Sequence, residues 1–295
     1  MKLGFKLIAF VHLLIAGNFA MAVQEACENP VPLRFSLIPR TDLVKQMEEH
    51  RPLLQYLERA LGRKITVIQP SSYGTVIEGL LASTIDLASM GPASYAIARN
   101  RDASLIPFVT WTMQGGTFVK KGAHSYNSLL IVLRNSGFKV IDDLKNCRIS
   151  LTDPASTSGG VLPRAEFSKV IGHPLNEFAG SLTYSGSHDR SIAALRKSKV
   201  DAAFVASEHL DQAIREGRIN ADEIRVLWES SPIPHDPFVF RGKLCPELKE
   251  KIQEAFMADT PEIRAMLSNL KGERFVPVTD DVYRQLREIL SREQQ

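Results

Sequence analysis

From residue 33 onward, short apolar runs alternate with longer segments of helical periodicity, and that alternation leaves few architectures open. Residues 33–38 read as a strand, and over 41–61 Leu43, Val44, Met47, Leu53, Leu54, Leu57 and Leu61 fall at roughly helical intervals. Pro52 within that stretch predicts a break or a fresh helix start. A second strand at 65–68 precedes a helix over 73–82. A third, at 85–90, ends in the Gly91-Pro92 turn, and a helix over 93–99 follows. Residues 129–133 form another apolar strand, and Arg134-Asn135-Ser136-Gly137 offers a crossing into a second unit. That unit reads as strand 148–151, helix 160–170, strand 181–184, helix 187–196 and strand 200–205. Pro232, Pro234 and Pro237 mark a return crossing, and three helical segments close the chain near 246–257, 261–270 and 280–290. Elements of these lengths in this order predict two α/β lobes with mainly parallel sheets.

The N-terminus bears on compartment. Lys2 and Lys6 precede an apolar run over 7–16, broken only by His12, and Ala20-Met21-Ala22 is a small-x-small cleavage signal. Residues 1–22 therefore read as a secretory signal peptide, too short and wrongly flanked for a membrane span. The residues before Cys27 are too polar for a lipobox, so an exported, soluble chain beginning near Val23 is expected. Removing Lys2 and Lys6 takes the formal charge from +3 to +1. That small charge argues against nucleic acid or a polybasic membrane surface as partner, so any anion specificity has to come from local geometry. Cys27, Cys147 and Cys245 allow one disulfide with one thiol over; the spacing does not choose the pair and resembles no zinc site.

Chemistry concentrates in two hydroxyl-rich turns. Asp153-Pro154-Ala155-Ser156-Thr157-Ser158-Gly159-Gly160 follows a predicted strand and opens a helix. Ser185-Gly186-Ser187-His188-Asp189 does the same downstream. Hydroxyls and unpaired N–H groups at a helix N-terminus form a donor shell for a tetrahedral oxyanion. The first turn also suits an ordinary N-cap with its remaining hydroxyls in water; the second turn tips the balance toward binding. His188 can be an anion donor, a metal ligand or a general base. The seven histidines show no ligand spacing, and Gly-x-Ser-x-Gly is absent, so the donor role is preferred. Tyr73 and Tyr126 can present phenols from the first lobe, or simply pack in a core with the hydroxyl at its rim. Glu208 and Asp236, taken by themselves, read as solvated surface acids.

The combination resembles the periplasmic phosphonate-binding proteins of ABC transporters, relatives of phosphite and phosphate binders. The resemblance rests on Ser72-Tyr73 with Val76-Ile77-Glu78-Gly79, Asp86 with Gly91-Pro92, both hydroxyl turns, Val200-Asp201-Ala202-Ala203 and Ile233-Pro234-His235-Asp236-Pro237. It implies a type II periplasmic binding protein fold, with lobe 1 formed by 23–133 plus 239–295 and lobe 2 by 134–238, closing at a hinge. It also implies that Ser156, Thr157, Ser158, His188 and Tyr73 hold the phosphonate. In amine-bearing phosphonate binders, Tyr126, Glu208 and Asp236 match positions around the ligand's ammonium group. The expected ligand is then an organophosphonate such as 2-aminoethylphosphonate, and the partner an inner-membrane ABC permease. The resemblance calls for no cofactor and no catalysis. The rivals are a phosphite, phosphate or sulfonate binder, a sensor input protein, and a periplasmic phosphoester hydrolase.

Overall fold

A computed structural model describes residues 27–293; the expected signal peptide, residues 1–22, lies outside them. The first strand, β1 (Leu33–Leu37), feeds α1 (Leu43–Leu61), which Asp42 caps by accepting the Lys45 N–H at 3.1 Å. Gly62 ends this helix in the left-handed region at φ 61°. Contrary to expectation, the helix runs unbroken through Pro52. A proline inside a helix costs about 3 kcal/mol. The buried face of Leu53, Leu54 and Leu57, packed into the core beside Phe35 and Phe256, holds the second half in line.

Next come β2 (Ile65–Val67), α2 (Tyr73–Leu81), β3 (Leu87–Ser89), α3 (Pro92–Arg101) and the long β4 (Ile106–Met113). After the two-residue β5 (Ser125–Tyr126), the chain forms β6 (Ser128–Leu133) and β7 (Arg148–Leu151). Wide helical turns over 157–167 run into α4 (Ser168–Ile171), followed by α5 (Leu175–Phe178) and β8 (Ser181–Tyr184). Then come α6 (His188–Arg196), β9 (Ala202–Ala206), α7 (Ser207–Arg215), β10 (Ile224–Glu229), β11 (Ile233–Pro234) and β12 (Phe238–Phe240). Finally α8 (Pro246–Met257), α9 (Pro261–Asn269), β13 (Gly272–Pro277) and α10 (Arg284–Glu293) close the described chain.

Two main sheets result. A six-stranded sheet runs β13-β4-β12-β3-β1-β2, and a five-stranded sheet runs β10-β6-β9-β7-β8. Helical crossovers make β2, β1 and β3 parallel, and likewise β8, β7 and β9. The sheets are nevertheless mixed, a departure from the mainly parallel arrangement expected. Strand β12 returns from the other sheet and lies antiparallel to β3 and β4, while β6 and β10 run antiparallel within the second sheet. A returning strand enters from the opposite edge of the layer, so its direction reverses.

The first crossing also lies earlier than the sequence suggested. Strand β6, assigned to the first lobe, sits inside the five-stranded sheet between β10 and β9. Arg134–Ser136 is only a tight turn that keeps the chain in that sheet. An apolar run buried on both faces does not reveal which sheet receives it. The chain crosses instead through 114–127 and back through 230–237, where β5 and β11 pair antiparallel with each other. Asp211 on α7 pins the outward crossing by accepting the N–H groups of Thr117, Phe118 and Val119 at 2.8–3.1 Å. A Cβ on Gly116 would approach the Asp211 carboxylate to 2.3 Å, which is why glycine stands there.

The six-stranded sheet packs α1, α8 and α9 on one face around Phe35, Trp111, Phe238 and Phe256. On the other face lie α2 and α3, with Tyr95 stacked edge-on against Tyr283. The second sheet buries Phe167, Phe204 and Trp228 on one side and the apolar faces of α6 and α7 on the other. Cys27 and Cys245 form the disulfide, tying the start of the described chain to the N-cap of α8; Cys147 is the free thiol. Among the described residues no helix is long and apolar enough to cross a membrane.

Candidate ligand-binding site

The first hydroxyl turn is shaped by close packing. After β7, Ser156 caps the following helical turn by accepting the Gly159 N–H at 3.1 Å. A Cβ at Gly159 would come within 2.2 Å of Thr152 Oγ1, and one at Gly160 within 2.2 Å of the Asp153 carbonyl oxygen. Only glycine permits this fold-back, and the helix begins at Thr157, three residues before the position expected. The turn is fastened to the six-stranded side by three bonds. The Ala93 N–H donates to Thr157 Oγ1 at 2.8 Å, Ser94 Oγ to the Ala155 carbonyl at 2.9 Å, and the Tyr73 N–H to Asp153 Oδ2 at 3.3 Å. With Thr157 Oγ1 accepting from Ala93, its own hydroxyl proton is free to point elsewhere.

A small cavity sits where these segments meet, and its walls include Tyr73, Tyr126, Ser156, Thr157, His188, Glu208 and Asp236. Ser158 stands behind His188, with its Oγ 3.4 Å from His188 Nε2. The structure thus gathers seven of the eight residues singled out from sequence at the cavity wall, with Ser158 one step behind them. The free space between these walls is about that of one water, well below the ~300 Å³ of ordinary small-molecule pockets, so the lining side chains stand close together.

Five helical segments begin at this cavity. Tyr73 is the first residue of α2, Gly91 the N-cap of α3, Thr157 the first residue of the wide turns, His188 the first of α6 and Glu208 the second of α7. Their partial positive ends converge on one small volume, although the N–H groups of Tyr73, Ala93 and His188 are already taken by Asp153, Thr157 and Arg40. Not every expected hydroxyl joins them. Ser187 caps α6 by accepting the Arg190 N–H, and Ser185 donates to the Ser187 carbonyl. Both serve the local turn, and from that segment His188 is the residue that reaches the cavity wall.

The protonation states suit donation. His188 Nδ1 accepts the Ala206 N–H at 3.2 Å, which leaves the ring proton on Nε2, the nitrogen beside Ser158. Burial holds the His188 pKa down at about 4, so the ring is neutral at pH 7. Burial also raises both Tyr73 and Tyr126 well above the ordinary phenol range, with Asp236 adding to the effect, so each keeps its O–H.

The opposite end is ionic, and Glu208 and Asp236 are not surface acids: their exposures are 7% and 2%. Asp236 Oδ2 lies 3.2 Å from Arg40 Nη1, and Glu208 Oε2 lies 2.6 Å from His235 Nε2. Burial pushes the Asp236 carboxyl up to about 6 against the pull of Arg40. Burial works the same way on Glu208, but His235 and His209 outweigh it and hold that carboxyl below its usual range. Sequence reasoning missed Arg40, which is 6% exposed, lies 5.4 Å over the Trp111 ring and accepts the His188 N–H on its carbonyl at 3.1 Å. His209, stacked on His188 at 4.8 Å, and His235 were also missed as site residues. The available signals were adjacency: His209 stands next to Glu208 and His235 next to Asp236.

A family model described as the periplasmic substrate-binding protein of phosphonate ABC transporters matches residues 35–283. Among curated proteins, the phosphonates-binding periplasmic protein of Escherichia coli is 28% identical over 266 residues, covering 88% of this chain and 76% of that one. A phosphate-import protein of Mycolicibacterium smegmatis is 27% identical over 239 residues, covering 78% and 72%. Among solved structures, the binding component of a Pseudomonas aeruginosa ABC phosphonate transporter superposes with a TM-score of 0.80 at 23% identity, over 90% of this chain and 87% of that one. A Prochlorococcus marinus protein in complex with methylphosphonate superposes with a TM-score of 0.78 at 18% identity, over 89% and 98%. These superpositions establish the periplasmic binding protein fold.

Proposed function

The chain belongs to the family of periplasmic substrate-binding proteins of phosphonate ABC transporters, and on that premise we propose that it captures an organophosphonate and delivers it to an inner-membrane ABC permease. Members of this family are transport receptors, not enzymes. The observation that carries the reading is the convergence of five helix N-termini, with the hydroxyls of Ser156 and Thr157, the His188 ring and the phenol of Tyr73, on one small cavity, with Ser158 behind His188. Such a shell stabilises a tetrahedral oxyanion through oriented dipoles without a formal countercharge.

The hinge belongs to the same proposal. The cavity is walled by residues from both sheets, so it is complete only when the two halves meet, and the paired crossings at β5 and β11 are where they would pivot. Export through the signal peptide completes the picture. The resemblance adds 2-aminoethylphosphonate as a ligand to try, since Tyr126, Glu208 and Asp236 all wall the cavity.

The test is calorimetric titration of ligand-stripped mature protein with methylphosphonate, 2-aminoethylphosphonate, phosphite and phosphate. Preference for a carbon-bearing phosphonate supports the proposal. Preference for phosphate or phosphite would keep the oxyanion shell and overturn the organophosphonate, and turnover of a phosphoester would overturn the receptor role.

A further inference from the structure

Beside the oxyanion cavity lies a second chamber with room for about one water-sized group, and the two share Arg40, Glu208 and His209 in their walls. Five residues of this second wall carry a buried polar atom without a hydrogen-bond partner in the protein. The atoms are Arg40 Nε, Thr41 Oγ1, Trp111 Nε1, His209 Nδ1 and His235 Nδ1. All five residues are more than nine-tenths buried. Buried polar atoms in folded proteins are almost always satisfied, so a wall with five orphans is built to be completed by a polar occupant of the chamber.

The ionised side chains of this wall, in contrast, come two of each sign, Arg40 and Arg215 against Glu49 and Glu208. Arg40 lies on Asp236 at 3.2 Å and His235 on Glu208 at 2.6 Å. An alkylammonium placed here would find Glu208 engaged by His235 and, against Glu49, the guanidiniums of both Arg40 and Arg215. A carboxylate would face Glu208 and also Glu49, which stands in the same wall. A hydroxyl carries no charge, accepts from Arg40 Nε or Trp111 Nε1, and donates to an imidazole nitrogen.

We propose that Arg40 determines the ligand's substituent: by taking the cation position beside Asp236 it excludes an alkylammonium, and it opens the second chamber to a short alkyl group bearing an uncharged hydroxyl. This rests on the phosphonate reading above and names the substrate class within it, hydroxyalkylphosphonates.

A matched trio tests it, because ethylphosphonate, 2-hydroxyethylphosphonate and 2-aminoethylphosphonate differ only in a terminal methyl, hydroxyl or ammonium. Calorimetry on the ligand-stripped mature protein is expected to rank the hydroxyl compound tightest, by about tenfold over each of the others, the worth of roughly one hydrogen bond. Arg40→Met keeps the bulk, removes the charge and frees Asp236; the ammonium compound should then overtake the hydroxyl one. If the wild type prefers the ammonium compound or does not distinguish the three, or if Arg40→Met leaves the order unchanged, the inference is overturned. Should Arg40→Met fail to fold, Asp236→Asn serves: it should weaken the ammonium compound no more than the hydroxyl one, and a selective loss for the ammonium compound overturns the assignment. Equal binding of all three removes only the role of Arg40, whereas binding of phosphate with none of the three removes the phosphonate reading itself.

Discussion

At the oxyanion end of the cavity, the donors proposed for the ligand carry no formal charge: three hydroxyls, the Tyr73 phenol, a neutral imidazole and the starts of five helices. At the substituent end, a few ångströms across, Arg40, Asp236, Glu208 and His235 are packed as two buried pairs against Trp111. The first end binds with the backbone, so it depends on how each turn is folded. The second depends on side chains that cancel one another, so removing any one exposes its partner. An oriented shell of neutral donors holds any tetrahedral anion of the right size, whereas matched charges discriminate among what is attached to it.

The contrast gives several ways to break it. The largest effect is expected from Thr157→Ala combined with Ser158→Ala. Two hydrogen bonds to a charged ligand are worth about 4 kcal/mol together, so affinity should fall about a thousandfold. The loss should be equal for every phosphonate, because this end does not read the substituent; a titration series showing unequal losses would dissolve the division. Next, His235→Leu leaves Glu208 buried beside fewer partners and should lower stability by about 3 kcal/mol in denaturant unfolding. Phosphite, which has no carbon substituent, should still bind that variant.

A smaller effect comes from His188 in the ligand-free protein. Its pKa is lowered from 6.5 to about 4, so the unfolded chain takes up a proton first and stability drains as pH falls through that window. At pH 5 the loss is about 2 kcal/mol. Asp236, raised from 3.8 to about 6, works in the opposite sense, its contribution being fully present only below its unfolded value. His188→Asn should therefore flatten the acid side of the stability–pH curve, and a curve unchanged by that substitution would contradict the neutral-ring assignment. The smallest effect serves as a control. Cys147 is half-buried, away from the cavity and outside the disulfide, so Cys147→Ser should shift stability by less than about 0.5 kcal/mol and leave affinity alone.

The two ends also differed in how far they could be read from the sequence. The oxyanion end is written in contiguous segments, where hydroxyls, glycines and a following helix lie within a few residues, and those segments fold as their spacing suggests. The substituent end is assembled from positions as far apart as Arg40 and Asp236, 196 residues distant. Nothing near Arg40 marks it as buried, and an arginine is normally read as surface. The same limit applies to the fold. Strands flanked by their own helices were legible, but β4, β12 and β13 went unread. None of them carries a clean alternation of buried and exposed residues, and each finds its place beside strands far away in the chain. Sheet membership of β6 failed for that reason as well.

The paired crossings carry a mechanical consequence. Tyr126 lies on one of them, and His235 and Asp236 directly follow the pairing on the other. Two independent tethers would let the halves twist and shear separately. In the proposed hinge, crossings laced together by ladder bonds would transmit torsion as a single shaft, with a phenol, an imidazole and a carboxylate mounted on it like teeth on a gear. A guest that touches those teeth is geared directly to the relative orientation of the sheets, so the outside surface can register what the interior holds.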